Sequence, residues 1–136
     1  MKISFSTLAC PDYEWSDIYS MAKDLGFDGI EIRGLGDDIF AVKARPFTEG
    51  QISETVKKLS EIGIEIPCLS SGCCLKDKNN LDEVISEISS YINLAVKLKT
   101  PFIRILGDRE PMPVDEVDDS YVAEVLVKLA DIAKDK

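Results

Sequence analysis

The sequence contains no histidine. That removes the commonest general base near neutral pH and a frequent metal ligand. It also lacks any run of about 18 apolar residues, so no stretch reads as a membrane-crossing helix. Positive charge is in the minority: 16 Lys and Arg stand against 25 Asp and Glu, for a net charge of −9. Nucleic-acid backbones and acidic membrane surfaces repel such a chain, and no basic stripe offsets the repulsion. Neither nucleic acid nor membrane is therefore expected as a partner. The acidic excess is spread over helix-like stretches, as solvated helix faces are. Paired cysteine spacing is missing too. Cys10, Cys68, Cys73 and Cys74 lack the CxxC repeat of a four-thiolate zinc site, and adjacent Cys73 and Cys74 cannot easily aim both sulfurs at one ion. Reduced thiols in or near the core are expected, with structural zinc and a redox role as lesser alternatives. The opening Met1-Lys2-Ile3-Ser4-Phe5 enters a strand pattern directly, without the apolar run of a secretory signal, so the cytoplasm is the expected compartment.

What is present is one domain's length, 136 residues, of which 45% are hydrophobic and enough to build a core. A strand pattern covers Lys2 to Leu8, and Cys10-Pro11-Asp12 reads as a turn. From Glu14 to Leu25, Ile18, Met21, Ala22 and Leu25 follow helical spacing, and Gly26 stops that helix. Phe27-Asp28-Gly29-Ile30-Glu31-Ile32-Arg33-Gly34 is then a short strand, with a long loop running on to Pro46. Thr48 and Gln51 have capping-box spacing before a helix with Ile52, Val56, Leu59 and Ile62 inward, stopped by Gly63. Ile64 to Leu69 reads as the third strand and Ser70 to Cys74 as the loop after it. Asn80 with Glu83 resembles another cap. It opens a long helix with Val84, Ile85, Ile88, Ile92, Ala95 and Leu98 buried, broken at Thr100-Pro101. Phe102 to Leu106 is the fourth strand, Gly107-Asp108 starts a loop in which Pro111 and Pro113 rule out a helix, and a last helix starts near Asp118. Strand and helix alternate four times with no linker or repeat tract. The class is α/β with a parallel sheet and right-handed crossovers.

Charge placement suggests where the chemistry lies. Side chains alternate along a strand, so Glu31 and Arg33 face opposite Ile30 and Ile32, and Arg104 faces opposite Ile103 and Ile105. An isolated buried charge is very costly, so these groups must face one another, a ligand or water. Arginine forks suit carboxylate, phosphate and polyol oxygens. Two readings stand side by side at this point: a ligand-binding cluster, and an ion network that knits the second strand to the fourth.

Four motifs in order resemble the sugar phosphate isomerase/epimerase family with the xylose isomerase-like TIM barrel. They are Leu8-Ala9-Cys10-Pro11-Asp12 with Trp15; Leu25 through Arg33; Gly63-Ile64-Glu65-Ile66-Pro67-Cys68-Leu69; and Phe102-Ile103-Arg104-Ile105-Leu106-Gly107. The resemblance implies four βα units forming half of a TIM barrel, since such a barrel has eight units and about 250 residues. It implies that 1–136 is the N-terminal part of a metal-dependent sugar or sugar-phosphate isomerase or epimerase. In the family a divalent metal (Mn, Co, Mg or Zn) is held by carboxylates and a histidine from the last four strands. No metal ligand or other cofactor is therefore carried over to this chain, and the chain by itself is expected to be inactive. The strand ends that carry the substrate side in such barrels offer Ser6, Thr7, Ser70 and Ser71. Glu31, Arg33, Ser70 and Arg104 are the expected sugar-binding residues. The implied partner, besides a small sugar or sugar phosphate, is the remaining barrel half or a second copy. Two other readings are a stand-alone, non-catalytic module, closed as a doubly wound sheet or paired through open edges, and a flavodoxin-type phosphate binder. The latter is poorly served by Leu8-Ala9-Cys10-Pro11, where proline removes an amide donor.

Overall fold

The computed structural model describes residues 1–107 and 117–136. The expected non-helical loop around Pro111 and Pro113 lies outside the described residues. The chain runs β1 (Ser4–Ser6), α1 (Trp15–Asp24), β2 (Gly29–Glu31), α2 (Ile52–Glu61), β3 (Cys68–Cys74), α3 (Leu81–Leu98), β4 (Phe102–Leu106) and α4 (Asp119–Ala133).

All strand pairings between these elements are parallel. β1 lies on β2 with Ser4 opposite Gly29 and Ser6 opposite Glu31. β3 lies on β4 with Cys68 opposite Phe102 and Ser70 opposite Arg104. The two pairs are joined by bridges between Gly29 and Glu65 and between Ile32 and Leu69. Four backbone bonds close this joint: Glu65 N to Asp28 O at 3.0 Å, Ile30 N to Glu65 O at 2.9 Å, Ile32 N to Cys68 O at 3.1 Å and Ser70 N to Ile32 O at 2.8 Å. The spatial order is thus 1-2-3-4, as successive barrel units require. A doubly wound sheet reverses direction about its first strand. Here β1 neighbours β2 alone among the described strands, so the doubly wound alternative is not adopted.

The helices cover one face of this ribbon. Ile30, Ile32 and Leu69 are fully buried there against Ile18 and Ala22 of α1, Leu59 of α2 and Tyr91 and Leu94 of α3. A second cluster joins α3 to α4 through Val84, Ile88, Val125 and Leu129, with Cys73 and Leu75 from the β3 end. Each large aliphatic side chain so buried contributes about 1.5–3 kcal/mol. The alternation that buries Ile30 and Ile32 turns Glu31 to the other face, the one that would line the hollow of a closed barrel.

Local expectations met tertiary demands in several places. β1 is shorter than Lys2 to Leu8, because Thr7–Ala9 turn into a 3₁₀ helix. The Thr48/Gln51 capping box does not form: the Thr48 hydroxyl donates to the Arg45 carbonyl at 2.8 Å. The 3₁₀ turn at Arg45–Phe47 brings that carbonyl against Thr48, whose N–H donates to it at 3.3 Å, and the hydroxyl donates to it as well instead of capping α2. Asn80 does precede α3, but its side chain makes no capping bond. A 3₁₀ turn at Lys78–Asn80 comes first, capped by Asp77 accepting from Asn79 N at 2.9 Å.

The largest departure is β3. The stretch from Ser70 to Cys74, which reads as loop, is strand, and Ile64 to Pro67 is its bridged lead-in. Small polar side chains look turn-like in a sequence, but here tertiary partners satisfy them. Ser70 Oγ reaches Glu31, Ser71 Oγ donates to the Arg104 carbonyl at 2.9 Å, and Cys74 Sγ donates to the Gly107 carbonyl at 3.5 Å.

The joint between the strand pairs is tight at Gly29, where a Cβ would meet Pro67 Cδ at 3.0 Å and the Glu65 carbonyl oxygen at 3.1 Å. Gly29→Ala should therefore destabilise the chain by about 1–3 kcal/mol in urea unfolding. Gly50→Ala, in open space, should change stability by no more than about 0.5 kcal/mol. Equal midpoints for the two variants would refute the tight joint.

Candidate functional site

Glu31 ends β2 and is half-buried on the face away from the helices. Its carboxylate accepts a short hydrogen bond from the hydroxyl of Ser70, a fully buried residue of β3. This link exists because the Ile32–Leu69 bridge sets the two strands in register. Arg104 follows on β4, paired in register with Ser70 and exposed to solvent. Ser70, Glu31 and Arg104 thus run across three adjacent strands, with Ser6 opposite Glu31 on the fourth.

The Cys68 thiol shares the face and lies within the field of both charged groups. Burial pushes its pKa above the ordinary 9.0, the Glu31 carboxylate pushes the same way, and Arg104 and Ser70 oppose them. This face therefore offers a fixed carboxylate acceptor, a hydroxyl whose proton is already committed to it, a guanidinium donor and a protonated thiol.

Arg33 is placed differently. It lies past the strand in a bend, where Arg33 N and Gly34 N donate to Thr7 Oγ1 at 2.9 and 3.4 Å. Its guanidinium rests on Gly72, where a Cβ would lie 3.4 Å from Nη2. From there it lines a groove of about 1020 Å³ between the strand ends, the 39–43 segment and the first half of α3. Among the described residues no ion pair or hydrogen bond joins the Arg33 side chain to Glu31 or Arg104. The expected three-charge cluster is divided: Glu31, Ser70 and Arg104 come together on one face, and Arg33 turns aside. The reason is local, since alternation holds only while the strand lasts, and the Thr7 bonds bend the chain at Arg33. Of the strand-end hydroxyls, Ser70 alone meets a charged side chain. Thr7 and Ser71 are committed to backbone groups, and Ser6 accepts from Leu8 N at 3.3 Å.

The groove also contains Tyr91, which the sequence reading passed over. Tyr91 is fully buried and packs edge-on against Phe40 with ring centroids 5.4 Å apart. Burial raises its phenol pKa, and the Ala41 amide pulls the other way. Its signal in the sequence is a phenol on the apolar stripe of α3, three residues after Ile88 and four before Ala95.

The metal implied by the resemblance does not fit here. Among the described residues no group of three Cys, Asp or Glu is gathered so that it could hold an ion, and the sequence has no histidine. The four cysteines form no disulfide. No described helix is long and apolar enough to cross a membrane.

Consecutive parallel βα units with polar groups at the strand ends are what a barrel half presents. The sequence profile of the family described as xylose isomerase-like TIM barrel matches residues 19–136. The chain belongs to the xylose isomerase-like TIM barrel family. Solved structures agree on the fold. The probable 3-DHS dehydratase AsbF of Bacillus anthracis, involved in petrobactin synthesis, superposes with a TM-score of 0.73 at 20% identity, over 97% of this chain and 49% of that one. The 3-keto-D-glucoside 4-epimerase YcjR of E. coli does so with a TM-score of 0.67 at 19% identity, over 98% of this chain and 52% of that one. The IolI protein, solved with a bound zinc atom, gives 0.65 at 21% identity, over 98% and 48%. The chain spans about half the length of these structures. No curated protein matches the sequence. Within this family fold, the described strands β1 to β4 are consecutive barrel units.

The carboxylate beside Cys68 has a measurable consequence. The folded chain holds the Cys68 proton more tightly than the unfolded one. Stability from this group is therefore present below the ordinary thiol pKa and falls as pH rises through the folded titration. Site-resolved iodoacetamide labelling against pH should place the Cys68 midpoint above that of free cysteine. Glu31→Gln should move the midpoint down, and an unmoved midpoint would show that the carboxylate does not face the thiol.

Proposed function

We propose that this chain supplies the substrate-side half of a sugar or sugar-phosphate isomerase or epimerase in the cytoplasm, and that it does not catalyse the reaction alone. The observation that carries the reading is the Glu31–Ser70 hydrogen bond beside Arg104 on the face turned from the helices. A carboxylate fixed by a buried hydroxyl is pre-oriented to accept from sugar hydroxyls, so less ordering entropy is lost on binding. Arg104, exposed on the next strand, donates to sugar or phosphate oxygens. Arg33 contributes at the rim.

The divalent metal of the complete enzyme, Mn, Co, Mg or Zn, belongs on this reading to residues outside the four units. It would supply Lewis-acid polarisation of a carbonyl. This chain's part is to bind and orient. Titration of the chain with Mn²⁺ or Zn²⁺ should show no tight stoichiometric site, and a tight one-to-one site would place the active centre here instead.

The partner is a further barrel half or a second copy. Phe102, on the same face of β4 as Arg104, is 68% exposed, and the outer edges of β1 and β4 carry no described strand. Open edges and exposed apolar surface favour association. Light scattering at micromolar concentration should show a mass above that of the single chain.

The sugar-binding reading is tested with a panel of ketoses and ketose phosphates titrated by heteronuclear NMR. Shifts should map to the Glu31, Ser70 and Arg104 amides. Glu31→Gln and Arg104→Met should each weaken binding by about ten-fold or more, the worth of a charge-assisted hydrogen bond. Binding indifferent to both substitutions would overturn it.

A further inference from the structure

Two buried donors in the groove beside α3 lack acceptors. Arg33 Nη1 is buried without a hydrogen-bond partner, the Tyr91 hydroxyl, whose oxygen the Ala41 amide approaches, has no acceptor for its own proton, and both residues line the same space. Buried polar groups are nearly always satisfied, and an orphaned guanidinium nitrogen is among the costliest to leave so. The Arg33 guanidinium lies over Gly72, close enough that a Cβ there would be in van der Waals contact with it. The α3 wall that carries Tyr91 also brings Glu83, Ser86 and Glu87, and Lys43 lines the groove as well.

This arrangement selects its ligand. The Arg33 end calls for an anionic acceptor with two oxygens, one for Nη1 and one for the phenol. The α3 wall calls for donors. A phosphate dianion meets the acidic wall, and a neutral sugar leaves the guanidinium unpaired. We propose that the groove binds a hydroxylated monocarboxylate, its carboxylate accepting from Arg33 Nη1 and Tyr91 Oη and its hydroxyls donating to Glu83 and Glu87. The proposal shares Arg33 with the sugar-binding reading above and otherwise uses different residues.

Calorimetric titration of the full 136-residue chain with sodium gluconate tests it, with D-glucose and inorganic phosphate as comparisons. Gluconate should bind one per chain, and glucose and phosphate at least about ten-fold more weakly. Arg33→Met should weaken gluconate by about ten-fold or more and Tyr91→Phe by about three-fold or more, with Arg33→Lys intermediate. Arg33→Gln, which removes the charge and keeps a polar side chain of moderate length, should also weaken gluconate by about ten-fold and serves if Tyr91→Phe fails to fold. Glu31→Gln should leave gluconate affinity unchanged while weakening ketose binding on the other face by about ten-fold or more, so the two readings fail separately. Absence of gluconate binding, equal affinity for phosphate or glucose, or indifference to Arg33→Met would each overturn the proposal. The first result would mean that the two donors are bridged by water alone.

Discussion

Four backbone hydrogen bonds between residues 28–32 and residues 65–70 hold the molecule's two strand pairs together. Without them the chain would be two separate parallel ladders, β1–β2 and β3–β4. With them, Ile30, Ile32 and Leu69 fall on one face and Glu31 and Ser70 on the other. The same joint therefore fixes both the core and the polar face. It is also where space is shortest, because Pro67 and the Glu65 carbonyl press on Gly29.

The polar face and the groove express two different consequences of strand alternation. While the strand persists, alternation carries Glu31 into line with Ser70 and Arg104. One residue past the Ile32 bridge the Thr7 hydroxyl captures two successive amides, the chain bends, and Arg33 leaves the row. A threonine that reads as a strand-end ligand group thus acts through the backbone, and its effect is to give the chain two polar regions instead of one. The groove lies toward the C-terminal ends of the strands, where connecting loops decide what is displayed, whereas Ser70 and Arg104 stand within β3 and β4 and are placed by strand pairing.

Much of the architecture was legible in the residues. Helical spacing located all four helices. Gly26 and Gly63, both with φ of +71°, end α1 and α2 as read from the sequence. Phe102–Leu106 is strand as its pattern demands. The second half of β3 is not legible in the sequence because Ser and Gly are turn residues, and the burial of its side chains depends on partners 33 to 39 residues away. The Thr48 and Asn80 caps were misread for a related reason, since each follows a 3₁₀ turn that reassigns the local hydrogen bonds.

Periodicity and charge alternation by themselves determined that this is a parallel α/β chain with Glu31 and Arg104 turned from the helices, because those features depend only on spacing along one strand or helix. The sequence likewise shows, without reference to shape, that these 136 residues offer no imidazole. Only the tertiary structure decided that Ser70 is the partner of Glu31, that Arg33 turns away into the groove that Tyr91 also lines, and that the strands follow one another in order. Each of these depends on register between segments distant in the chain, and register is set by the packing of both faces at once rather than by any local run of residues.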